Sequence, residues 1–211
     1  MKILYLDTSS SFLYCGLYEN NEKIFEIKDN LGKRMSEEVL FKLNQKFEEN
    51  DISTDSVEKI ILVNGPGSFT GVRIGITIAK IYSLLLHIPI ITISSLFAMS
   101  LSSQSNVLHV PLIDARRGYV YSAIYDSNSN TILNDCYISI EQLNDKLSKL
   151  NKEYIFISND SFDFSVEKYD PNIKIIIEKC SDFPAVDINL VNAKYLKSTE
   201  AEEKKNASWN R

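Results

Sequence analysis

The stretch from residue 60 to 86, IILVNGPGSFTGVRIGITIAKIYSLLL, constrains the fold more than any other part of the chain. Its β-branched start, Ile60–Val63, predicts a buried strand. A glycine- and proline-containing turn follows, and Ser68 or Thr70 can then cap a helix from about Gly71 to His87. This order of elements can present backbone N–H groups to an anion, or it can simply connect a strand to a helix. The turn lacks the Lys-Ser/Thr pair of a Walker loop and the spacing of a dinucleotide fingerprint, so both alternatives stay open.

The predicted helix carries more apolar residues than one packing face needs. They cover about half of its circumference, whereas a helix packed on one side shows a stripe of roughly 100°. Such a helix is either central to a large core or sandwiched between its own sheet and a second protein. Small residues within it favour the second alternative, because they permit close approach. The apolar sector consists of Val72, Ile74, Gly75, Ile78, Ala79, Ile81, Tyr82, Leu85 and Leu86.

Length and composition predict an ordinary globular protein. The 211 residues suit one large domain or two small ones, and 44% of them are hydrophobic and 24% charged. The net charge of −5 and the lack of a basic run argue against direct nucleic-acid binding. The N-terminal apolar run is too short for a signal peptide, and no run is expected to span a membrane. We therefore expect a cytoplasmic protein.

The residues that carry most metal and nucleophile chemistry are sparse. His87 and His109 are the only histidines and are not at helical ligand spacing, which argues against a paired-imidazole metal site. The three cysteines are too few and too scattered for a disulfide framework or a zinc site. Ser68 is directly preceded by Gly67, so no Gly-x-Ser-x-Gly nucleophile elbow forms. A Cys–His pair stays open, although no local pattern supports one.

Patterning along the chain predicts two similar series of elements. The predicted strands are 2–6, 12–18, 23–28, 60–63, 89–93, 107–113, 119–125, 131–138, 154–158 and 173–177. The predicted helices are 34–49, 71–87, 94–102, 141–150 and 187–196. Ser36 is expected to cap the first helix, whose apolar face is formed by Met35, Val39, Leu40, Leu43 and Phe47. In each half, a strand ending in Asp is followed by antiparallel strands and then by alternating helices and strands.

This repeat predicts a two-lobed, duplicated α/β fold, with mixed sheets flanked by helices and a cleft between the copies. The polar run 102–106 suggests an N-terminal lobe at 1–102 and a smaller C-terminal lobe at 103–196. The charged tail 197–211 is expected to be disordered. The plan resembles the ribonuclease H-like fold of the actin, Hsp70 and sugar-kinase superfamily.

That resemblance implies a nucleotide cleft, which this sequence matches only in part. In the superfamily, acidic turns hold the Mg²⁺ shell and the phosphates, and a later glycine pair seats the adenosine. The matching positions here are Asp7, Thr8, Ser9 and Asp114. The second turn continues with Arg116 and Arg117, which we expect to form salt bridges, and no glycine follows Gly118. These departures predict a vestigial phosphate loop. The rival prediction is a nucleotide-dependent kinase or hydrolase that uses Asp7, Thr8 and Asp114.

Four segments together resemble the bacterial TsaB family, also called YeaZ: residues 3–9, 64–75, 113–121 and 195–197. The second segment, NGPGSFTGVRIG, is highly specific, whereas the first and last are weak alone. The resemblance implies a non-catalytic scaffold of the machinery that makes threonylcarbamoyladenosine in tRNA. It implies pairing with the catalytic paralogue TsaD, which carries the metal, and recruitment of the ATPase TsaE. It further implies no cofactor on this chain alone, a nucleotide only at an interface shared with TsaD, and tRNA contact only through the complex.

In that family two helices of the N-terminal lobe form the heterodimer surface, and they correspond here to 34–49 and 72–87. A homodimer through the same helices is expected when the partner is absent. Many relatives carry a His where this chain has Met35, so little residual metal binding is expected. The expected interface residues are Val39, Leu43, Val72, Arg73, Ile74, Ile78, Ala79 and Tyr82.

Overall fold

The computed structural model describes residues 1–197, which form two five-stranded mixed sheets. The strands of the first sheet are β1 (Lys2–Asp7), β2 (Phe12–Glu19), β3 (Glu22–Asn30), β4 (Lys59–Val63) and β5 (Ile90–Ile93). Their order is β3-β2-β1-β4-β5, with β1, β2 and β3 antiparallel and β4 and β5 continuing parallel to β1. The predicted N-terminal meander is confirmed.

The second sheet repeats this arrangement. Its strands are β6 (Leu108–Asp114), β7 (Tyr119–Tyr125), β8 (Thr131–Ser139), β9 (Tyr154–Ser158) and β10 (Glu167–Lys168). Their order is β8-β7-β6-β9-β10, with the same pattern of antiparallel and parallel pairs as in the first sheet. The predicted duplication is confirmed, and β1 and β6 both end at an Asp, Asp7 and Asp114.

Helices join and cover the two sheets. They are α1 (Met35–Glu49), α2 (Phe69–Leu86), α3 (Ser95–Ser100), α4 (Ile140–Leu150) and α5 (Ile173–Cys180). α1 and α2 contact each other and the first sheet, and α4 contacts β8. α3 follows the first sheet in the chain but contacts β6, β7 and β9, whereas α5 follows the second sheet and contacts β1 and β2. These two helices therefore contribute to a core that lies between the lobes.

Three predictions that concern helices are wrong: a strand that is a helix, a helix that is only a short turn, and a helix cap. Residues 173–177 form the start of α5 rather than a strand, because Asn172 caps a helix there and buries Ile173, Ile176, Ile177 and Cys180 on one face. Residues 187–196 contain only the 3₁₀ turn Ile188–Leu190. Ser36 does not cap α1, because the 3₁₀ turn Gly32–Arg34 leads directly into it and leaves Arg34 at the N-cap.

The last described segment, which we call the C-terminal strap (Val191–Lys197), runs across both lobes. The backbone N–H of Lys194 donates to the carbonyl oxygen of Asn64 (2.8 Å), and the Lys194 ammonium lies 2.8 Å from a carboxylate oxygen of Asp135 on β8. Val191 is buried in the core of the first lobe. The residues after β10 therefore cross back to the first sheet. The rest of the predicted tail, 198–211, lies outside the described residues.

One helix meets the length and composition expected of a membrane span, contrary to our expectation. α2 is 18 residues long with a mean hydropathy of 1.4. It nevertheless contacts β1, β4 and β5, as the core helix of a folded domain does. This packing explains the apolar side of α2 that faces the sheet, whereas Ile81, Leu84 and Leu85 are exposed.

Candidate functional site

The glycines of the 64–75 motif place α2 directly against the turn that follows β1. A Cβ atom on Gly71 would lie 2.0 Å from the carbonyl oxygen of Thr8, and one on Gly75 would lie 2.5 Å from the Thr8 hydroxyl oxygen. A Cβ atom on Gly67 would lie 2.2 Å from the carbonyl oxygen of Ser9. All three distances are far below van der Waals contact, so only glycine fits. The motif therefore serves the close packing of a helix on a turn.

Hydrogen bonds complete this junction. The backbone N–H of Ser68 donates to the carbonyl oxygen of Ser9 (2.6 Å), and the Thr8 hydroxyl donates to the carbonyl oxygen of Gly71 (2.7 Å). The Ser68 hydroxyl caps α2 by accepting the Gly71 N–H (3.2 Å), so Ser68 rather than Thr70 is the cap. The Thr8 hydroxyl is therefore engaged within the chain and not directed at a phosphate.

A cavity of about 360 Å³ lies between the lobes, where the turns after β1 and β6 face each other. The structure thus brings Asp7, Ser9 and Asp114 to one cleft, as the superfamily resemblance implies. Asp160 adds a third carboxylate, which sequence reasoning missed because its position depends on the end of β9. Among residues 1–197, no lysine or arginine lines this cavity. A phosphate would therefore meet carboxylates without a compensating cation.

The carboxylates of the cleft are held by neighbouring backbone groups. Asp7 is buried and accepts the N–H of Ser9 (2.8 Å), and burial raises the pKa of its carboxyl. Asp114 accepts the N–H of Arg116 (2.8 Å) and donates its own backbone N–H to Asp160 (2.8 Å). Within the described part of the chain, no group of three or more His, Cys, Asp or Glu residues is placed to hold a metal ion. The carboxylates of the cleft therefore mainly order the two turns.

The structure corrects most of the expected interface residues. Val39, Leu43, Ile78 and Ala79 are buried in the chain's own core, between the two helices and the first sheet, and Val72 is also buried. Because they are buried, they are not available to a partner. The prediction missed this because sequence periodicity does not show which apolar sector of a helix faces the sheet. Met35 is buried in the same core.

The sector of the two helices that remains exposed carries different residues. Of the expected set, Arg73 is exposed and Ile74 and Tyr82 are half-buried. Large apolar side chains nevertheless face solvent on both helices. We call these residues the α1–α2 face: Leu40, Phe41, Phe69, Ile81, Leu84 and Leu85. The apolar excess of α2 was the signal for this face.

The turn between β6 and β7 differs from expectation. Arg116 and Arg117 form no salt bridge with any residue in 1–197, so that prediction is wrong for the described chain. Both are exposed. Beside the turn, the rings of Tyr119 and Tyr137 stack with centroids 4.8 Å apart, and the Lys197 ammonium lies 5.3 Å from the centroid of Tyr137.

Comparisons with known proteins agree with this architecture. The family model described as TsaD, tRNA N6-adenosine threonylcarbamoyltransferase, matches residues 30–202. The chain is similar to the tRNA threonylcarbamoyladenosine biosynthesis protein TsaB of Bacillus subtilis, with 30% identity over 76% of this chain and 72% of the relative. It is similar to TsaB of Escherichia coli, with 27% identity over 74% of this chain and 71% of the relative.

Solved structures show the same fold. YeaZ from Pseudomonas aeruginosa superposes with a TM-score of 0.73 at 16% identity, over 92% of this chain and 100% of that protein. This likeness confirms the predicted two-lobed α/β fold class with mixed sheets. The matched sequence model and the relatives together also confirm the resemblance stated from the four segments. The chain therefore belongs to the protein family described by the TsaD model and, within it, to the TsaB (YeaZ) group.

Proposed function

We propose that this chain is a non-catalytic subunit in the biosynthesis of threonylcarbamoyladenosine in tRNA. In this proposal it pairs with a TsaD-type catalytic paralogue through α1 and α2, activates that paralogue, and helps to recruit a TsaE-type ATPase. The relatives are named for this biosynthesis, and the matched family model is that of the transferase. The α1–α2 face is the single observation that carries the pairing.

The exposed side chains on α2 are arranged as a docking stripe. Ile81, Leu84 and Leu85 lie at i, i+3 and i+4, so they share one side of the helix. Leu84 and Leu85 are 62% and 72% exposed. Single exposed leucines are common, but a contiguous apolar patch on a folded domain is typical of a protein interface.

The cleft supports a role without catalysis. Its three carboxylates face no lining cation among the described residues, and the Thr8 hydroxyl is bonded to Gly71. These features disfavour the binding of a triphosphate by this chain alone. These same features are compatible with a nucleotide that binds at the interface with the paralogue. Since the proposed substrate is tRNA, we also propose that the protein acts in the cytoplasm, where it reaches tRNA as part of the complex.

The test is the level of threonylcarbamoyladenosine in tRNA from cells that lack the native chain and express a variant. Leu84→Lys removes part of the exposed stripe, and the added cation suits the C-terminal end of α2. We expect this variant to lower the modification strongly. Ile132→Lys is the matched control, because Ile132 is also a large exposed apolar residue but lies on β8. Normal modification with Leu84→Lys would argue against the interface.

Calorimetric titration of the isolated chain with Mg-ATP separates this proposal from a kinase or hydrolase. The scaffold proposal predicts no saturable heat and no turnover. Saturable binding that is lost in Asp7→Asn would instead support a nucleotide-dependent enzyme.

A further inference from the structure

The β6–β7 turn has an unusual backbone that is not used by the proposed pairing. Arg116, Arg117 and Gly118 all have positive φ angles, of 68°, 58° and 75°. For residues other than glycine this conformation is uncommon. The turn is closed by hydrogen bonds between the backbones of Ala115 and Tyr119 (3.0 Å) and of Arg116 and Tyr119 (3.2 Å). It therefore presents two arginines in succession at the end of the second sheet, and both are exposed.

Aromatic rings continue this surface across the sheet and onto the C-terminal strap. The ring of Tyr119 stacks on Tyr137 at an interplanar angle of 9°, and Tyr137 lies beside Tyr121 (5.7 Å between centroids). Lys197 adds a cation over Tyr137. Tyr119 is 39% exposed at the outer end of this stack. We call Arg116, Arg117, Tyr119, Tyr137 and Lys197 the tyrosine–arginine surface.

The charges on this surface favour an anionic partner. Arg116, Arg117 and Lys197 form no salt bridge with residues 1–197, although the whole chain carries a net charge of −5. The carboxylates at the base of the turn, Asp114 and Asp160, accept backbone N–H groups. Lys197 thus lies over the ring of Tyr137, and two exposed arginines precede Tyr119 in the turn, all three without a salt bridge to residues 1–197.

The composition of the turn favours RNA over a protein partner. Exposed tyrosine and arginine occur in both kinds of interface. However, residues 116–119 include no aliphatic side chain, whereas the apolar face suited to a protein lies on α1 and α2. Unpaired RNA bases stack on aromatic rings and arginine planes, while cations contact the phosphates.

We propose that the tyrosine–arginine surface binds an unpaired segment of the tRNA directly. A base stacks on the open side of Tyr119, and Arg116 and Arg117 contact the phosphates on either side of it. This inference rests on the proposed function and goes beyond it, because the family resemblance implies tRNA contact only through the complex.

The test is fluorescence anisotropy of a labelled anticodon stem–loop RNA, titrated with the full chain, alone and with the TsaD-type paralogue. Tyr119→Ala is expected to weaken binding about 5- to 150-fold, the range for loss of one base–aromatic stack, whereas Tyr119→Phe keeps the ring and binds like the wild type. Arg117→Ala is expected to reduce the slope of log affinity against log salt by about 0.7, the value for one single-strand phosphate contact.

Tyr154→Ala is the matched control. Tyr154 is 41% exposed, and it pairs with Leu108 at the start of β6, whereas the turn lies at the other end of that strand. Tyr154→Ala should therefore leave RNA binding unchanged. Failure of the wild type to bind the RNA under both conditions would overturn the inference, as would equal losses from Tyr119→Ala and Tyr154→Ala.

The outcome is separable from that of the pairing proposal. If Tyr119→Ala abolishes binding of the paralogue but leaves RNA binding unchanged, the surface is a protein interface and this inference is wrong. If pairing depends on Leu84 but RNA binding is insensitive to Tyr119, the proposed function stands and only the RNA surface is overturned.

Discussion

Gly71 and Thr8 lie so close together that a Cβ atom on Gly71 would be 2.0 Å from the Thr8 carbonyl oxygen. Because the Thr8 oxygen belongs to the backbone, no side-chain rotation can relieve this contact. The N-terminus of α2 is therefore fixed to the end of β1, and the direction of the helix follows from this junction. The α1–α2 face is presented by a helix that cannot shift without disturbing the first sheet.

Gly71→Ala is accordingly expected to lower the free energy of unfolding by about 1–3 kcal/mol or more, the usual cost of overpacking a core. Urea denaturation followed by circular dichroism measures the loss. Gly16→Ala is the comparison, since its added Cβ would meet only side-chain atoms, a methyl group of Ile173 at 3.1 Å and a ring carbon of Tyr18 at 3.2 Å. Equal losses for the two variants would contradict the proposed role of the Gly71 contact.

Two apolar residues on α2 should differ strongly in how substitution by lysine changes the free energy of unfolding. Ile78 is 5% exposed within the core, whereas Leu85 faces solvent. Ile78→Lys buries an unpaired charge and should lose more than about 3 kcal/mol of unfolding free energy or fail to fold. Leu85→Lys should stay within about 0.5 kcal/mol of the wild type, as surface substitutions do. A large loss from Leu85→Lys would mean that this residue belongs to the core.

The buried Asp7 carboxyl should leave a signature in the pH dependence of stability. Burial raises its pKa in the folded state, so the folded state binds more protons than the unfolded one between the two pKa values. The stabilising contribution of this group is present below the unfolded pKa and is lost as the pH rises through the folded pKa. Asp7→Asn, which cannot ionise, should therefore gain stability relative to the wild type as the pH rises from about 4 upward.

Urea titrations of both proteins across this range measure the difference in unfolding free energy. A difference that stays constant with pH, or one that falls as the pH rises, would show that Asp7 is not the group responsible.

The ion pair between Lys194 and Asp135 should stabilise the attachment of the C-terminal strap. The Asp135 side chain is 5% exposed and also accepts the Tyr125 hydroxyl (3.0 Å), whereas Lys194 is partly exposed. Lys194→Ala should therefore cost about 1–2 kcal/mol, between the values for exposed and buried pairs. Lys46→Ala breaks a surface pair with Glu49 and should have no measurable effect. Equal effects would mean that the strap pair contributes no more than a surface pair.

The sequence predicted the regular sheet elements well, because their signal is local. The strands Tyr119–Tyr125 and Tyr154–Ser158 have the predicted bounds, since each is an apolar or aromatic run between turn residues. The β-branched run at 173–177 misled the prediction. There, the cap at Asn172 and the burial of one helical face outweigh strand propensity.

The candidate surfaces were harder to predict, because they depend on tertiary placement. The apolar excess of α2 was visible, but the residues chosen from it, such as Ile78, face its own sheet. The stack of Tyr119 on Tyr137 arises from the pairing of β7 with β8, and Lys197 joins it only through the path of the strap. The roles of the motif glycines also depended on their contacts, since a strand–turn–helix pattern is shared by anion sites and plain junctions.

Light scattering coupled to size-exclusion chromatography, with the chain and the TsaD-type paralogue at equal concentrations, tests the central claim most directly. The wild type is expected to form a heterodimer, and any homodimer of the isolated chain should disappear when the paralogue is added. Leu85→Lys, with its fold intact by circular dichroism, is expected to elute separately from the paralogue, whereas the Ile132→Lys control should bind it. A stable heterodimer with Leu85→Lys and Leu84→Lys combined in one chain would contradict the account.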